Sequence, residues 1–200
     1  MSEAGADRAY VILREGKWDV PAYLGEAYDE KLPLAYLVLR ESSGVPYTLD
    51  RARPFVEDAT VLLGFPDIVL RSDRPVYPAL VDALTARPTD LVLGLFPSTR
   101  PEKGDMVETE ADGRVRRIVV KSPTTSLNTG WVGAAWGPAF SSFVHEYLTD
   151  RPSSEPGAEL HLGQVFQGAI DAGLGVQSVL FSGSYVDVGT PEDLAAYAAE

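Results

Sequence analysis

Cysteine is absent from the 200-residue chain. Disulfides, thiolate metal sites and cysteine nucleophiles are therefore excluded, and the cytoplasm is the default expectation. Histidine is almost absent too. Only His145 and His161 occur, on segments read as helical and without partners at metal-ligand spacing, so both are expected to be ordinary surface or half-buried residues. No run of 18 apolar residues is present and no basic-then-apolar leader opens the sequence, so neither a membrane span nor a secretory signal is expected. Positive charge is scarce: 17 Lys and Arg stand against 29 Asp and Glu, a net charge of −12. With no basic stripe, duplex nucleic acid is not an expected partner. An acidic protein can still bind phosphorylated small molecules through local cations, or through a divalent metal held by carboxylates.

Several motifs are missing as well. No G-x-S-x-G elbow supports a Ser/His/Asp triad. The one G-x-G, Gly173–Gly175, closes a helix instead of opening one, so a dinucleotide fingerprint is lacking. Gly16-Lys17 is not a P-loop, because Val11 stands where that motif needs a glycine.

What is present is a chain that is 45% hydrophobic and long enough to bury a core as one domain, residues 1–200. Apolar, β-branched runs recur at Ala9–Leu13, Leu34–Leu39, Val61–Leu63 and Leu91–Phe96. Helical spacing lies between them, as in Val76, Leu80, Ala83 and Leu84, closed by Pro88. Strands alternating with helices imply an α/β fold: a Rossmann-like, mainly parallel sheet flanked by helices. The middle departs from this. Met106–Glu110 and Arg114–Val120 read as an inserted β-hairpin turned at Asp112-Gly113. Two apolar stripes mark further helices, Phe140–Leu148 and Leu162–Ile170, with a Pro/Ser-rich linker at Asp150–Gly157 between them. A strand at Val176–Phe181 leads to a last helix, capped by Thr190 with Pro191 at its first position.

Six side chains are candidates for chemistry. In an open α/β sheet, ligands bind at the carboxyl ends of the strands. Asp67, in Gly64-Phe65-Pro66-Asp67, follows such an end, and Asp187 lies in a β-like stretch before a helix. Together they could hold Mg²⁺, which commonly keeps one or two protein carboxylates plus substrate phosphates. Each could equally be a turn, cap or strand-end acid. Lys121, after the hairpin, is either a solvated charge or a lysine aimed at a phosphate, and Lys17 offers the same alternatives after the first strand. Trp131 and Trp136 are either core residues or stacking platforms for a sugar or base.

In this order and spacing, Gly64-Phe65-Pro66-Asp67, the hairpin ending at Lys121, Leu162-Gly163 at a helix start and Tyr185-Val186-Asp187-Val188-Gly189-Thr190-Pro191-Glu192-Asp193-Leu194 resemble the sugar-1-phosphate nucleotidylyltransferases, especially their glucose-1-phosphate thymidylyltransferase-like branch. The resemblance runs from Ala9 to Leu194. It implies nucleotidyl transfer from dTTP or UTP to a sugar-1-phosphate such as glucose-1-phosphate, with release of pyrophosphate. It places the Mg²⁺-holding pair on Asp67 and Asp187 and the sugar-phosphate lysine on Lys121. The segment carrying Tyr47 and Thr48 corresponds to the turn lining nucleotide and sugar, and Trp131 and Gly133 fall at the wall of the sugar pocket.

The sequence also departs from that family. The resemblance implies a first strand and a Gly-rich phosphate-cradling loop, and neither precedes Ala9; Val120 replaces the acid before the lysine. The chain is accordingly expected to begin late, with Met1–Arg8 as the end of a helix. The expectation then divides between an active enzyme and a non-catalytic fragment, a split half completed by an N-terminal polypeptide, or a binding module. An exposed central strand edge would favour homo-oligomers. A GT-A-type glycosyltransferase is the competing class, but its Asp-x-Asp pair is not matched, since Ile68-Val69 follows Asp67.

Overall fold

The computed structural model describes residues 1–25, 32–151 and 159–199. Of the linker expected at Asp150–Gly157, only Asp150 and Arg151 fall among them. A 3-10 turn at Ser2–Ala4, ended by Gly5, is all the helix that Met1–Arg8 forms. Next come β1 (Ala9–Arg14), α1 (Asp19–Leu24), β2 (Leu34–Leu39) and α2 (Val45–Val56). They are followed by β3 (Val61–Leu63), β4 (Ile68–Ser72), α3 (Val76–Ala86) and β5 (Leu91–Pro97). The hairpin is β6 (Met106–Thr109) and β7 (Val115–Val119), with Gly113 at φ 86° in its turn. The chain then runs through β8 (Thr129–Trp136), α4 (Pro138–Thr149), α5 (Leu162–Asp171), β9 (Val176–Leu180), β10 (Gly183–Asp187) and α6 (Pro191–Ala198).

The strands form a six-stranded sheet and two separate pairs. β1 and β2 are parallel, as a crossover through α1 requires. β4 and β10 are antiparallel. The large sheet has the order β7-β6-β8-β5-β9, with β3 joined to β8. Strands β3, β5, β6 and β9 share one direction and β7 and β8 oppose them, so the sheet is mixed, with a parallel ladder between β5 and β9. β8 is the hub: one edge takes β5 along its length, and the other is shared by β6 at Gly130 and β3 at Ala134–Trp136.

Alternation along β5 divides the core between the two faces of this sheet. Leu91, Leu93 and Leu95 face a cluster with Phe140, Val144 and Leu148 of α4 and Leu162, Val165 and Phe166 of α5. Val92 and Phe96 face the other way, onto Val76, Leu80 and Leu84 of α3 and Phe181. Each of these fully covered large side chains contributes roughly 1.5–3 kcal/mol by leaving water. The layers therefore hold the carboxyl-terminal ends of β3 and β5 rigidly, and the loops leaving those ends build the site described next.

Candidate functional site

The stretch Gly64-Phe65-Pro66-Asp67 is a tight turn between β3 and β4. Ile68 donates its N–H to the Phe65 carbonyl at 3.2 Å, with Pro66 supplying the fixed φ that such a turn uses at its second position. The turn places Asp67 directly before β4, and the antiparallel register pairs Ile68 with Asp187. Val188 N–H then donates to the Asp67 carbonyl at 2.8 Å. Two aspartates distant in sequence are thus brought side by side by one ladder. Gly189 lies between their carboxylates: a β-carbon there would be 2.9 Å from Asp187 Oδ1 and 3.0 Å from Asp67 Oδ2. Asp187 Oδ1 also accepts the Gly189 N–H at 2.8 Å. Space left by a missing side chain between two carboxylates suits a hard cation that takes its other ligands from water or substrate. Among the described residues no group of three or more His, Cys, Asp or Glu is placed to hold a metal.

Asp187 lines a cleft of about 710 Å³ that Lys121 and Trp131 also line. Lys121 is the one non-glycine residue with positive φ among the described residues, at 38°. Trp131, on β8, packs edge-on against Phe166 and tilted against Phe65, which also lines the cleft. Its Nε1–H donates to Asp105 Oδ2 at 3.3 Å. Burial pushes the Asp105 carboxyl up from its ordinary value, against the pull of Trp131 N–H, of His161 and Lys121, and of the Gly163 N–H. On the opposite wall, Arg100 and Lys103 reach Asp193 of α6 at 3.2 and 2.9 Å. Those bonds, with one to the Thr190 hydroxyl, hold the Asp193 carboxyl down at about 2; the Lys103 contact is the largest cause.

The remaining residues singled out from sequence lie elsewhere. Thr48 sits on the first turn of α2, its hydroxyl donating to the Gly44 carbonyl and sharing a hydrogen bond with Ser42. Tyr47 packs against the core. Gly133 is buried within β8, opposite Gly94 of β5. None of the three lines the cleft, whereas Val45 of the same helix does. Lys17 is exposed away from it. Trp136 is core, donating to Ser141 Oγ at 3.1 Å. His145 is half-buried with Nδ1 3.0 Å from Asp50 Oδ1, as an ordinary residue would be, but His161 lines the cleft at the start of α5.

No family model matches the chain. The low-salt glycan biosynthesis nucleotidyltransferase Agl11 of Haloferax volcanii is 23% identical over 195 residues, which are 97% of this chain and 53% of that protein. The chain thus spans about half the length of the curated relative it matches. A Bacillus anthracis structure assigned as a glucose-1-phosphate thymidylyltransferase superposes with a TM-score of 0.79, covering 95% of this chain and 74% of its own at 18% identity. A UDP-glucose pyrophosphorylase complexed with UDP-glucose also gives 0.79, over 99% of this chain and 83% of its own, at 14% identity. The fold is that of the sugar-phosphate nucleotidyltransferases. In this nucleotidyltransferase fold, Asp105, His161, Arg100 and Lys103 line the cleft without having been singled out for it in the sequence. An acid just before an apolar strand, or cations in a Pro/Gly-containing loop, carry no signal by spacing. Only their placement beside α5 and α6, far along the chain, marks them.

Proposed function

We propose that the chain binds a nucleoside triphosphate and a sugar-1-phosphate in this cleft and transfers the nucleotidyl group between them, with dTTP or UTP as donor and glucose-1-phosphate as acceptor. The observation that carries the proposal is the convergence of Asp67 and Asp187 on Gly189, at the edge of a cleft that Asp187 lines together with Lys121 and that Asp67 and Gly189 do not line. Asp67 and Asp187 would hold Mg²⁺, whose part when bound is to offset charge on the α-phosphate. Lys121 would meet the phosphate of the sugar-1-phosphate and hold its oxygen in line with the α-phosphorus. That oxygen forms the new bond to phosphorus as the bond to the β-phosphate oxygen breaks, and pyrophosphate leaves with the electron pair. Trp131 and Phe65 would wall the sugar and exclude water.

The test is pyrophosphate release by the purified chain with Mg²⁺, glucose-1-phosphate and each of dTTP and UTP. Release that disappears in Asp67→Asn is the expected result. A second reading, in which turnover needs a complementing polypeptide, is favoured by one observation. Among the described residues, β1–β2 makes no ladder with the six-stranded sheet. Nucleotide binding by the folded chain without pyrophosphate release would select that reading.

A further inference from the structure

Asp105 is not explained by any role given so far. It lines the cleft yet is 8% exposed. One carboxylate oxygen, Oδ2, is held by the Trp131 indole N–H. The other, Oδ1, is buried without a hydrogen-bond partner. A buried polar atom left unpaired is costly, and native folds seldom keep one without a use. This fold also makes room for it. A β-carbon on Gly163, in the first turn of α5, would collide with Asp105 Oδ2 and lie 2.8 Å from its Cγ. The carboxylate is therefore seated in room left by Gly163, its Oδ2 side anchored by Trp131 and its Oδ1 side unanchored.

We infer that Asp105 is a specificity-determining residue of the cleft, whose carboxylate turns its unpaired oxygen out of its buried position to accept a hydrogen bond from a hydroxyl or amino group on the sugar of the sugar-1-phosphate. This inference rests on the nucleotidyl-transfer reading above. A carboxylate accepts and does not donate, so its partner is a donor on the ligand and not the phosphate. The phosphate belongs to Lys121, which acts on Asp105 electrostatically from the same cleft. Placing a cation for the phosphate beside an acceptor for a ring substituent fixes the sugar by two points, and the Trp131 ring supplies the third. A site built around a buried acceptor rejects ligands that leave it unpaired far more strongly than a purely apolar pocket rejects a misfit.

The experiment is titration calorimetry with glucose-, galactose-, mannose- and glucosamine-1-phosphate, followed by the singly deoxygenated analogues of whichever binds tightest. UTP and inorganic phosphate are measured beside them. In the native chain one analogue should bind roughly tenfold to a hundredfold more weakly than its parent, the range expected of a hydrogen bond to a charged group. Asp105→Leu should abolish that discrimination and Asp105→Asn reduce it severalfold, with UTP unaffected and inorganic phosphate bound no more weakly; the Asn variant decides should Leu prevent folding. Sugar phosphates that bind with discrimination unchanged in both variants would overturn the role of Asp105 alone. A native chain that binds UTP but none of the four sugar phosphates would overturn both this inference and the reading it rests on.

Discussion

A lysine with φ of 38° is held where a side chain costs stability, about 1 kcal/mol or somewhat more. Glycine would adopt that backbone without strain, so the position would be better filled by glycine if only the fold mattered. Lys121 lines the cleft, and in the function proposed above its ammonium would be the return on that strain. Lys121→Gly should leave the denaturation midpoint unchanged or higher while sugar-phosphate binding is lost. Lys121→Ala keeps the backbone strain and should also lose binding. Lys17→Ala, far from the cleft, should bind as the native chain does. Calorimetry beside a urea melt separates these outcomes, and equal binding by Lys121→Ala and Lys17→Ala would remove Lys121 from the phosphate site. The sequence could nominate Lys121, because a lysine directly after a hairpin is conspicuous. It could not nominate Asp105, which lies in the loop before β6 and meets Gly163 of α5 only in the fold.

At the scale of elements, α6 is fastened to the loop after β5 by Asp193, which draws in Arg100 and Lys103 while Thr190 caps the helix. The Asp193 carboxyl titrates at about 2 in the fold against 3.8 for the free group. A carboxyl lowered by folding contributes stability that is fully present above its free value and is lost as the pH falls through the folded one. Asp193→Asn should therefore melt at a lower temperature than the native chain at pH 7, and the two curves should converge as the pH is taken from about 4 toward 2. Because Arg100 and Lys103 are half-exposed, added salt should narrow the difference at pH 7 as well. A gap that stays constant with pH would mean the helix cap, and not the ion pairs, sets the effect. The elements themselves were legible to different degrees. The strands from β1 to β3, β5 and the hairpin stood out by their apolar runs, and α3, α4 and α5 by 3.6-residue periodicity. β4 was hidden because Arg71 and Ser72 are exposed and its partner is a lone strand from the far end of the chain. The reversal of β8 was hidden too, since Gly-Trp-Val-Gly-Ala-Ala-Trp offers small residues where a β-branched run would announce a strand. Tyr47 and Thr48 were placed at a turn by resemblance, whereas in the fold that turn has already become α2.

At the scale of the whole molecule, open strand edges remain among the described residues. Among the described residues, β1 and β2 pair only with each other, and Trp18, Tyr23 and Val38 nearby are 57%, 85% and 43% exposed. Unpaired strand edges beside apolar side chains recruit partners, and a second copy of this chain is always available. Size exclusion should show an elution volume that shifts with loading concentration; a sharp monomer peak independent of concentration would count against self-association. The β4–β10 ladder has a different kind of consequence, one of timing. Asp67 is made well before β10, the strand that sets Asp187 beside it and lies more than 100 residues further along the chain. On the ribosome, the nascent chain can shape its hairpin and much of its large sheet while Asp67 still lacks Asp187 beside it. In the function proposed above, a nucleotide in the surrounding solution therefore cannot guide the steps of folding that precede β10. It would act only once β10 has paired with β4, by mass action on the folded site.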